Sequence, residues 1–314
     1  MRGQTRIHYF LFFALSFPIL AAFGKDQDYN KQPVLFVSDT QQPIWVETLR
    51  LQEHANEIAT QHIYDAIERE STAAAIFHLG DITSIGMFES YWKPFDDFQS
   101  TVPAPIYPVM GNHDYFFFRD AAMEQFRKRF PALRSSWYSA IIQSVAVIAL
   151  NSNFSELTDD ERIQQQTWYR QQLLRFDYDP KVNAIIVVCH HSPFTNSTIV
   201  HPSEGVQKHF LPLFFAARKT AAFISGHAHS YEHFQINGKD FLVIGGGGGL
   251  LHPLLTHSAQ RYQDLFSRES SMRFFHYLQC DIGSQSLLFS IHKLKHNFSE
   301  FEVIDSIRIR YTKP

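Results

Sequence analysis

The chain has 314 residues, room for one large α/β domain or two modest ones. At 45% hydrophobic and 19% charged residues it carries no disorder signature, and a net charge of −3 argues against a nucleic-acid partner. Its two cysteines, Cys189 and Cys280, exclude a disulfide scaffold and a cysteine-rich zinc site. Cys189 ends an apolar run, which favours a buried thiol over a bond between the two.

Arg2 and Arg6 precede an apolar run over 7–23, with Pro18 near its end and small residues Ala21, Ala22 and Gly24 as a candidate cleavage site. This reads as an export signal over 1–24, short for a membrane span, with an uncleaved anchor as the alternative. Its removal deletes two arginines and no acid, taking the net charge from −3 to −5. The expected working compartment lies outside the cytoplasm. Asn153, Asn196 and Asn297 each begin an Asn-x-Ser/Thr sequon.

Nothing divides the rest, so 25–314 is expected to be one domain. Apolar runs and helical patterns alternate: strand 34–38, helix 54–70, strand 73–79, strand 106–110, helix 123–130 and strand 144–150. Then come helix 158–174, opened by a Thr158/Glu161 capping box, strand 182–189, helix 205–217 and strand 221–225. After Phe241 the helical patterns fade, and 274–282, 286–293 and 301–308 read as strands. Alternation followed by antiparallel strands predicts two packed sheets with helices outside.

Chemistry-bearing residues gather where the strands end. The ends read "SDTQ", "HLGDITS", "PVMGNHDY", "VVCHHSPF" and "ISGHAHSYEH", delivering Asp39, Asp81, Asn112 with His113, His191, and His227 with His229. Gly80, Gly111 and Gly226 each precede one of them, as close backbone approach requires. Carboxylate, amide and imidazole donors suit Mn, Fe, Zn or Mg, and an Asp between two ions can bridge them for in-line displacement at phosphorus.

In this order the motifs resemble those of the calcineurin-like metallophosphoesterases, over roughly 34–249, and "HSPFTNS" and "GHAHSYEH" look most like the purple acid phosphatase branch. The resemblance implies a four-layer α/β/β/α sandwich and two metal ions. One would be held by Asp39, Asp81 and His229, the other by Asp81, Asn112, His191 and His227. His190 competes with His191, which is preferred because it stands two residues before Pro193. By the same resemblance His113 contacts phosphate or protonates the leaving group, oriented by Asp114, and His201 is a substrate-side histidine.

The pattern is departed from twice. The purple acid phosphatases carry a tyrosine whose tyrosinate binds ferric iron, where this chain has Ser84; the wider superfamily carries Asp-x-His, where this chain has Gln41. Manganese-dependent ADP-ribose/CDP-alcohol diphosphatases, which the motif resembles here, carry Asp-x-Gln. Residues two apart on extended backbone leave on one face, so Gln41 is expected to ligate the first metal through its carbonyl oxygen and to favour Mn. The alternative is a hydrogen bond to a metal-bound water.

His54, His62 and His78 read as solvated or core residues; His233, His252 and His257 could line the pocket, though loop histidines usually do not. The glycines of 245–249 lack a dinucleotide-binding context and suit close approach beneath the metals. Phe116, Phe117 and Phe118 are an apolar lip for substrate or core. The expected activity is phosphomonoester hydrolysis of a small phosphorylated substrate. The alternatives are phosphodiester or nucleotide-diphosphate hydrolysis, and a catalytically weak binding protein on the same fold.

Overall fold

Side-chain alternation along β1 (Val34–Val37) sets the layering. Val34 and Phe36 enter an apolar layer shared with a second sheet, whereas Leu35 and Val37 meet helices on the opposite side. The computed structural model describes Tyr29 and residues 32–44, 56–266 and 270–311; the expected export signal and His54 lie outside these.

After β1 the chain forms α1 (Asn56–Arg69), β2 (Ala75–His78), α2 (Lys93–Thr101), β3 (Ile106–Pro108) and α3 (Arg119–Arg129). It continues through β4 (Tyr138–Ile142), β5 (Val145–Ala149), α4 (Asp159–Tyr178), β6 (Ala184–Cys189), α5 (Glu204–His209), α6 (Leu211–Ala216) and β7 (Thr220–Ser225). Five strands close it: β8 (Tyr231–Ile236), β9 (Lys239–Ile244), β10 (His276–Ile282), β11 (Ser286–Leu294) and β12 (Phe301–Arg310). One sheet has the order β12-β11-β10-β1-β2-β3 and the other β4-β5-β6-β7-β9-β8. Parallel pairing holds β1 to β2 and β2 to β3 in the first, and joins β5, β6, β7 and β9 in the second.

Phe36, Phe77, Leu278 and Phe289 of the first sheet face Val147, Ile186, Val188 and Leu242 of the second. Outside, Ala59, Ile63 and Ile67 of α1 cover Leu35 and Ile76, while Tyr169, Leu173 and Phe176 of α4 cover Ile148, Ile185 and Val187. The expected sandwich of two sheets between helices is the observed one. Both cysteines are buried free thiols.

Three differences from the sequence reading have physical causes. The helix expected over 205–217 is two helices, because Pro212 has no N–H to continue the ladder through Phe210. The β8–β9 hairpin turns on Asn237 and Gly238 at φ 51° and 72°, the left-handed pair of a type I′ turn. Short α2 buries only Phe95 and Phe98, too few apolar positions to register as a period. Of the sequons, Asn297 is exposed, but the amides of Asn153 and Asn196 are buried and donate to the carbonyls of Met110 (2.7 Å) and Tyr262 (2.9 Å). Glycosylation at those two is incompatible with the folded chain.

Glu232 on β8 fixes the loop that follows β6. Its buried carboxylate accepts from Thr195 Oγ1 (2.5 Å), Asn196 N (2.7 Å) and Ser230 Oγ (3.2 Å). Burial outweighs these donors and pushes its pKa up from 4.5 to about 7. A raised carboxyl pKa stabilises the fold below the unfolded value, and that contribution is lost as pH rises through the folded value. Stability should therefore fall between about pH 4.5 and pH 7 by something of the order of 3 kcal/mol from this residue. Glu232→Gln should flatten that part of the pH profile in denaturant titrations; an unchanged slope would show that Glu232 is ionised throughout.

Candidate metal centre

The parallel strands of both sheets end along one edge, which places their following loops together. Asp39 follows β1, Asp81 follows β2, Asn112 follows β3, His190 and His191 follow β6, and His227 and His229 follow β7. Space there is tight. A Cβ on Gly111 would stand 2.1 Å from Asp81 Oδ1, and one on Gly226 would stand 2.4 Å from Asp39 Oδ2. Asp39, Asp81 and His227 hold left-handed backbone, at φ 58°, 51° and 66°. Non-glycine residues in that region concentrate at functional sites.

The imidazoles are oriented from behind. His190 Nδ1 lies 2.9 Å from the carbonyl of Leu79, and His229 Nδ1 lies 2.7 Å from that of Leu250. A carbonyl only accepts, so both rings carry their proton on Nδ1 and, when neutral, present a lone pair at Nε2. His190 Nε2 faces Asn112 Oδ1 at 3.1 Å and Asp81 Oδ2 at 3.4 Å. His229 Nε2 faces Asp39 Oδ1 at 3.4 Å. Acceptors are thus aimed at acceptors, an arrangement that calls for a cation: a proton on the ring or a metal between the ligands.

Gln41 completes the second of these hollows. Its amide suits its surroundings in one orientation, with the nitrogen donating to the main-chain carbonyls of Asp81 (3.1 Å) and Asp39 (3.3 Å). In the opposite orientation its oxygen would confront those carbonyls. The amide oxygen then lies 3.3 Å from His229 Nε2 and 3.4 Å from Asp81 Oδ2. Four acceptors converge there, from Asp39, Gln41, Asp81 and His229. Asp81 Oδ2 belongs to both hollows.

His190, His191 and His227 each bring a ring nitrogen within 4.8 Å of the others, as do Asp39, Asp81 and His190 through one ligand atom each. The geometry leaves both adjacent histidines within reach of a metal. His190 is the histidine against Asp81 and Asn112, while His191 turns Nδ1 to Ser152 Oγ at 2.9 Å. Burial would raise the pKa of Asp81, but His190, His113 and His227 overcome it and hold the carboxyl well below its usual range. Burial and the neighbouring imidazoles keep His227 well below 6.5, and burial with His190 pushes His191 down to about 3. Both rings stay neutral.

The substrate-side expectations divide. The main-chain N–H of His113 donates to Asp81 Oδ1 at 2.8 Å, and its ring Nδ1 lies 3.1 Å from the carbonyl of Ser84. Asp114 was expected to orient that ring. Its buried carboxylate instead accepts the main-chain N–H groups of Ile82 (2.9 Å), Thr83 (3.1 Å) and Gly111 (2.8 Å). It ties the β2 and β3 loops together. His201 is exposed on the loop between Ser197 and Ser203 and, among the described residues, makes no hydrogen bond or ring contact, so the structure does not bring it into the cluster. Ser84 turns its hydroxyl to the carbonyl of Gln42.

Sequence reasoning undervalued His252. It is buried, stacks on His229 with centroids 4.3 Å apart and accepts the main-chain N–H of His229 at Nδ1 (3.2 Å). Only its place after the glycine run hinted at this. That run passes beneath the centre as expected: Gly249 N donates to the carbonyl of Asp39 (2.8 Å), and a Cβ on Gly249 would lie 2.5 Å from the His229 ring. His78 is core, His62 packs beside Phe298, His257 is exposed and His233 pairs with Asp240.

The family model of the calcineurin-like phosphoesterases matches residues 32–231. The fold is similar to that of GAP50, the anchor in the inner membrane complex of Plasmodium (TM-score 0.66, 16% identity, 90% of this chain and 89% of that one). It is also similar to purple acid phosphatase PPD1 from yellow lupin seeds (0.63, 18%, 89% and 53%) and to a dimetal phosphatase from Danio rerio (0.55, 12%, 90% and 99%). At these identities the likeness speaks for the fold. Among curated proteins none matches this chain. With the family match spanning all five strand ends that build the centre, the chain belongs to the calcineurin-like phosphoesterases.

Proposed function

We propose that this chain is an exported phosphomonoesterase working with two metal ions. The observation that carries the reading is the pair of acceptor-lined hollows sharing Asp81 Oδ2. Asp39, Gln41, Asp81 and His229 would hold one ion; Asp81, Asn112, His190 and His227 would hold the other. His190 thereby takes the place that sequence spacing assigned to His191. A neutral, hard amide oxygen at Gln41 suits Mn or Mg. Export rests on the basic and apolar pattern of 1–24.

Two such ions, when bound, would supply positive charge for a phosphoryl group and would lower the pKa of a water for attack on phosphorus. The residues do the rest. Asp81 positions the first atom of His113 through the main-chain N–H, and the carbonyl of Ser84 fixes the ring, so that Nε2 is the atom for a substrate oxygen. With Nδ1–H held by that carbonyl, the ring can deliver a proton from Nε2 to a departing alkoxide only as the doubly protonated imidazolium, and it then needs no reorientation. His191, anchored on Ser152, stands beside His227, where it can contact the phosphate.

A ligand-binding protein on the same fold is the second reading, favoured by the absence of a tyrosine at Ser84 and of an imidazole at Gln41. Turnover decides between them. The metal-reconstituted chain should hydrolyse an aryl phosphate faster than the corresponding diester, with Mn among the best ions. Faster diester hydrolysis would move the assignment to phosphodiesters, and no turnover on either or on a nucleotide panel would establish the binding protein.

His113→Ala should lower the rate roughly a hundredfold while two ions remain bound. If that variant loses an ion, His113 is itself a ligand. Metal stoichiometry measured on purified variants assigns the remaining positions. Gln41→Ala and His190→Ala should each retain one ion, whereas His191→Ala should retain two; the reverse pattern for the two histidines would restore His191 as the ligand.

A further inference from the structure

We propose that the phenylalanines beside His113 form a binding surface for an aryl leaving group, which makes aryl phosphomonoesters the preferred substrate class; this rests on the phosphomonoesterase reading. Phe116, Phe117 and Phe118 are 37%, 67% and 66% exposed, so the alternative that they are core is excluded. Among the described residues the only other exposed phenylalanine is Phe88, at 45%, accompanied by Tyr91 at 42%. Both groups sit on loops that touch: Gly86 N donates to the carbonyl of His113 (3.2 Å), and a Cβ on Gly86 would collide with the carbonyl oxygen of Asp114 at 1.9 Å. The exposed phenylalanines among the described residues thus sit on two loops that touch each other.

That place adjoins the proposed leaving-group acid. The Phe116 ring lies nearly parallel to the His113 ring, with centroids 5.7 Å apart at 20°. Phe117 meets Phe116 edge to face at 4.4 Å. Together they offer a face and an edge, the two geometries that aromatic rings prefer in contact. Phe117 is held outward at φ 75°, a conformation that a bulky side chain rarely adopts. The group attached to the oxygen that His113 serves would emerge against this surface, and a flat ring would bury it.

Binding of non-hydrolysable phosphonates to the metal-loaded full chain, read by calorimetry, separates recognition from leaving-group reactivity. Naphthylmethylphosphonate should bind about tenfold more tightly than methylphosphonate, and the same preference should appear in kcat/KM for 1-naphthyl phosphate over glycerol 2-phosphate, beyond intrinsic reactivity. Phe117→Ala and Phe116→Ala should reduce the binding ratio to about twofold and lower the kcat/KM ratio in parallel; Phe117→Leu, which keeps bulk without a ring, should fall between. An undiminished ratio in the alanine variants overturns the proposal. If methylphosphonate binds but the naphthyl group adds nothing, the aromatic surface fails while the phosphate site stands. If neither phosphonate binds and neither ester is turned over, the phosphomonoesterase reading itself fails. Co-sedimentation with phosphatidylcholine vesicles that Phe117→Ala abolishes, with the naphthyl preference intact, would make the surface a bilayer contact and overturn the proposal.

Discussion

A single buried carboxylate, Asp81, governs the geometry of this molecule's active edge. Taking an ionised carboxylate out of water is expensive unless opposite charge and hydrogen bonds replace the lost hydration. Asp81 receives one main-chain N–H, from His113, and stands against His190 Nε2. To reach that position its backbone is left-handed and Gly111 leaves the space that a Cβ would fill. Asp114 then fixes the arrangement by taking the N–H of Gly111 on one oxygen and those of Ile82 and Thr83 on the other. The parallel pairing of β1, β2 and β3 matters because it delivers these loops to one edge; the packing of the two sheets brings the β6 and β7 histidines to meet them.

Much of this was legible in the sequence because strand ends in a parallel sheet are marked twice, by the apolar run and by the polar residue that stops it. The five strand ends and the fold they imply follow from that pattern. What sequence does not encode is the direction of a side chain once regular backbone has ended. His190 and His191 are adjacent, and spacing to Pro193 favoured the second; the carbonyl of Leu79, a contact from 111 residues away, turns the first toward Asp81. Asp114 shows the same limit. Its adjacency to His113 suggested a partner for the ring, yet three main-chain amides claim it, and no motif registers the position of an amide. Phe116 to Phe118 were equally open, since an apolar triplet in a loop is core or rim according to which loops lie against it.

The centre is over-determined from behind, which explains how it accommodates glutamine. His190 and His229 are each pinned by a carbonyl on the nitrogen remote from the hollow, and Gln41 is pinned by the carbonyls of Asp39 and Asp81 through its amide nitrogen. In every case a main-chain acceptor fixes the far atom and so aims the near one. An amide and an imidazole both satisfy that rule. Residue 41 can therefore change the chemistry of the atom it presents to the hollow while leaving its aim intact.

Charge then gives Ser84 a meaning. In the purple acid phosphatase pattern a tyrosinate on ferric iron joins the two aspartates; a trivalent and a divalent ion among those three negative charges would leave two positive. Here the tyrosinate is missing and Gln41, Asn112 and the neutral histidines contribute none, so Asp39 and Asp81 supply two negative charges. Two divalent ions, as proposed for this chain, would leave two positive. On the function proposed above, Ser84 and a divalent metal beside Gln41 would belong together, because the pair would keep the net charge suited to a phosphomonoester dianion. A trivalent ion without the tyrosinate would leave three, bind the product dianion more tightly and slow its release.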